Sequence, residues 1–225
     1  MFIENFLKDK VAVVTGGGTG IGKVIADDLA SHGANVVLAA RQLDRIESTA
    51  RELSLKGPRS IAVATDISDS DQVKALFERV DAEFGRVDIL INNAAANFIR
   101  PSEMLTAVRW RKVIDIVLNG SFYCALEAGQ RMIKQKSGRI ISLVAAYAWT
   151  GGPGLAPSAS AKAGIVALTR TLGAEWAPHG VCVNAICPGF IDTPQSRERL
   201  WPEDWMREMM LEGVPSGKFG TENDV

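Results

Sequence analysis

The 225-residue sequence predicts an α/β fold: a doubly wound parallel sheet with helices on both faces. Three observations predict it. Short apolar runs alternate with segments of helical period along the chain. The runs are almost continuously apolar, as strands buried on both faces are. A glycine-rich turn separates the first run from the first helical segment. No internal repeat interrupts this order, and the length suits one domain spanning residues 1–225.

The elements follow in sequence. "KVAVVTG" (Lys10 to Gly16) reads as the first strand, and Ile21, Ile25 and Leu29 recur at helical spacing behind it. "NVVLAAR" (Asn35 to Arg41) is the second strand, with Leu43, Ile46 and Ala50 opening the next helix. "SIAVATD" (Ser60 to Asp66) is the third, followed by a helix through Val73, Leu76, Phe77 and Val80. "VDILINNA" (Val87 to Ala94) is the fourth. One or two helices are expected from about Leu105 to Lys136, then a fifth strand in "RIISLV" (Arg139 to Val144). Ala163 to Trp176 has helical period, Pro178 ends it, and "VCVNAI" (Val181 to Ile186) is the sixth strand. Beyond it, Trp201, Trp205, Met206, Met209 and Met210 stand among charges. This stretch reads either as a surface helix with one buried face or as a cover, over 190–215, for an apolar ligand.

Composition excludes several classes. Twenty-five basic against 26 acidic residues give a net charge of −1, so no basic excess points to nucleic acid. No stretch of 18 apolar residues predicts a membrane span. The start, "MFIENFLKDK", is too charged and too short in apolar run for a secretory signal, so a cytoplasmic protein is expected. The three cysteines form no Cys-x-x-Cys pair, and Cys182 and Cys187 lie in an apolar run where buried thiols are expected. His32 and His179 are isolated, so no metal site is expected.

"TGGGTGIG" (Thr15 to Gly22) supplies Gly16, Gly20 and Gly22 between strand and helix. Glycines there permit a tight turn and close approach of backbone to a pyrophosphate, which the helix N-terminus then attracts. Thr19 and Ile21 belong to the same turn. An acidic residue ending the second strand would bond the ribose of NAD, but the chain reads Ala39-Ala40-Arg41. With no carboxylate and a guanidinium at hand, NADP(H) is the expected cofactor, with Arg45 a second basic candidate. Arg41 could equally be a solvated helix-start residue. Asp66 and Ile67 follow the third strand, where Asp66 suits an adenine amino group or a helix cap. Asn93, Ala94 and Ala95 close the fourth strand, on the edge where such sheets hold a cofactor.

These motifs, with Asn119, Ser142, Lys162 and "PG" (Pro188, Gly189), resemble the short-chain dehydrogenase/reductase family from Lys10 to about Gly189. The resemblance implies a Rossmann-type fold, a homo-oligomer, typically a tetramer, and a proton-handling set of tyrosine, lysine, serine and asparagine. Members of that family usually have another helix and strand beyond the sixth, which this chain is expected to lack, since "TENDV" stands just where that helix would begin. One position departs. The family's Tyr-x-x-x-Lys is here "PSASAK", with Ser158 four residues before Lys162. A phenol ionises near pH 10 and can be tuned downwards, whereas an unactivated serine cannot. The chain is similar at this departure to the 2,4-dienoyl-CoA reductase branch, across "INNAAANFIRPSEMLT", "IDIVLNG" and "PSASAKAG". That branch uses an upstream tyrosine, in the place of Tyr147.

The resemblance implies a fatty acyl-CoA substrate in lipid breakdown. A dienoyl thioester reduced at its far alkene carbon sends charge to the thioester oxygen, and Tyr147 and Asn119 are assigned to that oxygen. Lys162 holds the nicotinamide ribose, and Ser158 orients Lys162 or the thioester. Tyr147 could instead be a packing residue. Arg100 and Arg197 are possible contacts for the charged end of CoA. Two other functions remain: a carbonyl/alcohol oxidoreductase such as a 3-oxoacyl thioester reductase, and a non-catalytic NADP-binding protein.

Overall fold

The computed structural model describes residues 5–201 and 203–225. Six parallel strands run in the order β3-β2-β1-β4-β5-β6. They are β1 (Val11–Thr15), β2 (Asn35–Ala40), β3 (Ser60–Ala64), β4 (Ile89–Asn92), β5 (Gly138–Leu143) and β6 (Val181–Ile186). The expected strands are all present. Their order reverses between β1 and β4, which opens a crevice at the carboxyl ends of those two strands.

Alternation along each strand builds a core on each face. Val13, Val37, Leu90 and Ile140 face one side, where α3 (Ser70–Phe84) and α5 (Gly120–Gln135) bring Leu76, Phe77, Ala128 and Met132. Val14, Val36, Leu38 and Ile91 face the other, against Ala26 and Ala30 of α1 (Gly20–Ser31) and Ile46 and Leu53 of α2 (Leu43–Ser54). Phe77 is fully buried, which stabilises the fold by about 2–3 kcal/mol relative to an exposed ring. The third helix shows its start in sequence: Asp69 caps it, its side chain accepting from Asp71 N and Gln72 N, and Gly85 ends it in a left-handed conformation.

The long segment after β4 is one helical rod with an irregular middle. A 3-10 turn (Ser102–Met104) precedes α4 (Ala107–Ile114), five π-helical residues (Asp115–Asn119) follow, and α5 continues. The helix after β5 starts seven residues earlier than its apolar period indicates. α7 runs Ala156–Trp176, with Pro157 in its first turn, so Ser158 and Lys162 both lie on it. A single-turn helix, α6 (Tyr147–Thr150), precedes it.

Two expectations are corrected. Cys182 and Cys187 are exposed, and Cys124 is the buried thiol. β6 is an edge strand whose alternate residues face outwards, so an apolar run there does not mean full burial. α9 (Asp204–Glu212) has no buried face of its own, with Trp205 and Met209 exposed. The buried aromatic is Trp201, between α8 (Pro194–Arg199) and α9, stacked on Phe219 with centroids 5.1 Å apart. No helix among the described residues is long and apolar enough to cross a membrane, and no cluster among them has the makings of a metal site.

Candidate functional site

The crevice at the strand-order reversal is held open by a small polar clip. Thr15 Oγ1 donates to Ile91 O at 3.2 Å and accepts from the N–H groups of Asn93 and Ala94, each at 3.0 Å. Asn93 Nδ2 returns a bond to Thr15 O at 2.9 Å. This ties the end of β4 to the start of the glycine turn. Gly16 has φ +66°, which a side chain would strain. Gly22 sits where a Cβ would overlap Asn93 and lie 2.5 Å from Gly16 O, so α1 approaches the turn as closely as hydrogen allows. A recess of about 640 Å³ results. It has room and donors for a dinucleotide.

Of the residues assigned to the cofactor from the sequence, Gly16, Thr19, Gly20, Ile21, Arg41, Asp66, Ile67, Asn93, Ala94 and Ala95 line it. Gly22 packs against Gly16 and Asn93 of the lining, and Lys162, Pro188 and Gly189 lie outside it. Arg45 lines it beside Arg41, and neither guanidinium has a carboxylate partner among the described residues. Asp66 is half engaged: its Oδ1 accepts from Ser68 N and Oγ, at 3.0 and 2.6 Å. The cap of α3 is Asp69 instead. Thr193, Gln195 and Glu198 close the recess from α8 and were not foreseen. The signal for them is "DTP": Thr193 caps α8 with Pro194 at its start, which turns this helix across the glycine loop.

The proton-handling residues gather beside β5. Tyr147, first residue of α6, carries its Oη to 3.2 Å from Ser158 Oγ. Ser158 is 2% exposed and Lys162 is 6% exposed. They stand one turn apart on α7, about 6 Å along its axis. Lys162 Nζ donates to Leu143 O, the carbonyl ending β5. Burial pulls the Lys162 ammonium down to about 8, with Cys187 acting weakly the other way. Burial also pushes the Cys187 thiol up, opposed by Lys162. Ser142 Oγ lies 3.5 Å from Asn92 Nδ2 in the strand pair behind this group.

Two carboxamides differ in their commitments. Asn119, in the π-helical turn, donates from Nδ2 to Asp115 Oδ1 at 2.9 Å. Asn97 makes no hydrogen bond among the described residues, and its Oδ1 is buried without a partner there. Its loop runs beside the segment after Tyr147, since Arg100 N donates to Gly154 O at 3.0 Å. Sequence reasoning missed Asn97. A polar residue inside "AAANFI" was the available signal. Arg100 donates to Met104 O within its own loop, and Arg197 is paired with Asp192.

Comparison with known proteins adds relatives. Residues 10–203 match the model of the family described as short chain dehydrogenase. A Caenorhabditis elegans protein described as a (3E)-enoyl-CoA-producing 2,4-dienoyl-CoA reductase is 42% identical over 99% of this chain and 74% of its own length. A Staphylococcus aureus 3-oxoacyl-[acyl-carrier-protein] reductase is 36% identical over 96% and 87%. A structure described as an NAD(P)-dependent gluconate 5-dehydrogenase from Beutenbergia cavernae, with NADP bound at low occupancy, is 33% identical. It superposes with a TM-score of 0.92 over 99% of this chain and 88% of that one.

Proposed function

The chain belongs to the short-chain dehydrogenase family, and from that premise we propose that it reduces 2,4-dienoyl-CoA thioesters to enoyl-CoA. It is an oxidoreductase whose cofactor is NADP(H). Arg41 and the absence of a carboxylate at the end of β2 agree with the 2′-phosphate form, as does the NADP found in the Beutenbergia relative. Gly16, Thr19, Gly20, Ile21, Asp66, Ile67 and Asn93 to Ala95 would hold the dinucleotide, and Lys162 the nicotinamide ribose. Bound NADPH supplies a hydride.

The carrying observation is the Tyr147–Ser158 contact. A phenol from α6 meets α7 at the residue four before Lys162, where the family's own tyrosine would stand. A proton-active hydroxyl is thus retained beside Lys162 but enters from another side. That suits an oxyanion set apart from the carbon that receives the hydride. Addition at the far alkene carbon breaks its π bond, and the electron pair moves through the diene to the thioester oxygen. Tyr147 Oη and a carboxamide hold the resulting dienolate. Asn119 is one candidate, with one of its two N–H groups already on Asp115. Asn97 is the other, through its Nδ2, since its buried Oδ1 is an acceptor and would face away from an oxyanion. A proton from water or Tyr147 then adds to carbon. Addition at the α carbon gives the 3-enoyl product after which the Caenorhabditis relative is described. Lys162 supplies positive potential, and Ser158 fixes the phenol. Trp205 and Met209, exposed on α9, would lie over the acyl chain, within the cover expected at 190–215.

A second reading, a 3-oxoacyl thioester reductase, is favoured by the Staphylococcus relative. Loss of NADPH absorbance is followed with 2,4-hexadienoyl-CoA and with a 3-oxoacyl-CoA, and the product double bond is located by NMR. Faster turnover of the 3-oxoacyl substrate overturns the dienoyl reading. Tight NADP binding with turnover of neither leaves a binding protein. We also propose a homotetramer, as in the family, which light scattering tests.

A further inference from the structure

Another recess adjoins α8, lined from different residues of that helix than the cofactor recess. It measures about 440 Å³ and is lined by Arg197, Trp201, Asp204 and Arg207. Arg197 comes from α8 and Arg207 from α9, and both converge on Asp192. Arg197 donates from Nε and Nη2 at 2.7 and 2.9 Å, and Arg207 from Nη2 at 3.3 Å. Arg207 also lies over the Phe219 ring, 4.9 Å from its centroid.

A purely structural clamp explains the two arginines on one aspartate. It does not explain Trp201. This ring is 4% exposed, and its Nε1 is buried with no acceptor among the described residues. An unpaired buried donor costs about 1–3 kcal/mol unless something else accepts from it. The N–H groups of Arg197 Nη1, Arg207 Nε and Arg207 Nη1 are uncommitted as well. The recess therefore combines surplus donors from three side chains. Two carboxylates line or adjoin it, each engaged as follows, and a third, Glu222, lies near enough to act on Arg197 through space. Asp192 is shared between the guanidiniums, which hold its carboxyl below the ordinary value. Asp204 opens α9, where the free amides of a helix N-terminus favour an acid.

We infer that this recess binds a phosphate group. On the thioester reading proposed above, that group is at the nucleotide end of CoA. The guanidinium N–H groups not spent on Asp192 would each donate singly to a phosphate oxygen, and an indole N–H adds one directed donor. α8 would then separate the two nucleotides of the reaction. Glu198 and Gln195 face the cofactor side, and Arg197 faces this recess. An extended pantetheine arm is longer than one helix is wide, so it can pass from here to the residues beside β5.

The test uses the protein saturated with NADP. Adenosine 3′,5′-bisphosphate and inorganic phosphate are titrated by calorimetry into wild type, Arg207→Ala, Trp201→Phe and Asp204→Asn. Trp201→Phe keeps the ring stack and removes the donor, so it guards against a folding defect in the arginine variant. Bisphosphate binding should weaken about tenfold in Arg207→Ala and severalfold in Trp201→Phe, and tighten in Asp204→Asn. In parallel, KM is measured for hexadienoyl-CoA and for the hexadienoyl N-acetylcysteamine thioester. KM for the CoA thioester should rise about tenfold in Arg207→Ala and severalfold in Trp201→Phe, while the short thioester changes less than about twofold. Equal changes for both thioesters, or no bisphosphate binding to wild type, overturn the inference. Inorganic phosphate binding without the bisphosphate overturns the assignment to CoA. Failure of wild type to reduce hexadienoyl-CoA sinks the dienoyl reading instead, and the calorimetry still decides the phosphate site.

Discussion

Tyr147→Phe removes one oxygen and leaves the ring on α6. Its Oη has one partner within the protein, Ser158 Oγ at 3.2 Å. Two losses follow. The first is structural. Ser158 is 2% exposed, so its hydroxyl loses its partner where water cannot easily replace it. That costs about 1 kcal/mol, or roughly 2–4 °C of Tm for a domain this size. The second is catalytic. Loss of one oxyanion donor lowers kcat by about 10²–10³. Ser158→Ala is the control. It removes a hydroxyl that only steadies the phenol, and Tyr147 is half-buried, so water can reach its oxygen. We expect kcat within about tenfold of wild type, in line with loss of a single neutral hydrogen bond. Steady-state rates on 2,4-hexadienoyl-CoA, with KM for NADPH and thermal melts alongside, separate the two losses. KM for NADPH should not move in either variant. If Ser158→Ala abolishes turnover while Tyr147→Phe retains it, the roles of phenol and serine are reversed and the reasoning fails.

Lys162 fixes an alkaline limit. Burial lowers its folded-state value to about 8, against roughly 10.4 for a free lysine. Its charge is therefore lost first in the folded enzyme, and kcat/KM should fall as pH rises through about 8; an unchanged rate up to pH 10 would exclude a role for the ammonium. The same depression means that the apoprotein gains stability from this group as pH rises from about 8 to 10.4, readable in denaturant midpoints. Arg41→Ala and Arg45→Ala should each weaken binding of adenosine 2′,5′-bisphosphate about tenfold, leaving 5′-ADP unaffected, since only the 2′-phosphate meets these uncommitted guanidiniums. For Asp88, burial raises the carboxyl, but Arg86, Val11 N–H and Lys10 together bring it below its ordinary value. Its contribution is present above about pH 4 and is lost as pH falls through the lower folded value. Asp88→Asn should cost about 2 kcal/mol at pH 7 by urea denaturation, less than a fully buried pair because Arg86 and Lys10 are partly exposed and can rehydrate.

The strands and the glycine turn were legible because their signals are local. Val13 and Val14 alternate between the two cores as neighbours in the chain must, and Gly16 and Gly22 mark a turn that no larger residue enters. Helix starts were less legible: "APSASAK" has no apolar period, yet α7 begins there with Pro157 in its first turn. Cys182 and Cys187 misled for a different reason. Hydropathy records that a run is apolar, but the position of β6 at the sheet edge decides that Cys182 faces outwards, and Cys187 lies beyond the end of that strand. Asn97 was invisible as a site and Trp201 was read only as part of an apolar cover, because a missing partner is a property of surroundings and leaves no mark on composition.

By itself, the sequence determined a parallel doubly wound sheet, the phosphate-facing turn, the basic residues after β2 and the departure at Ser158. Each is set by neighbours a few residues apart, through backbone sterics, periodicity or charge. The tertiary structure decided what meets across long separations: α8 over the glycine loop, Arg197 and Arg207 on Asp192, and a phenol eleven residues upstream at the place on α7 that the serine had left without one. Such meetings depend on how separate elements pack together, and packing is settled only when the whole chain has closed around both cores.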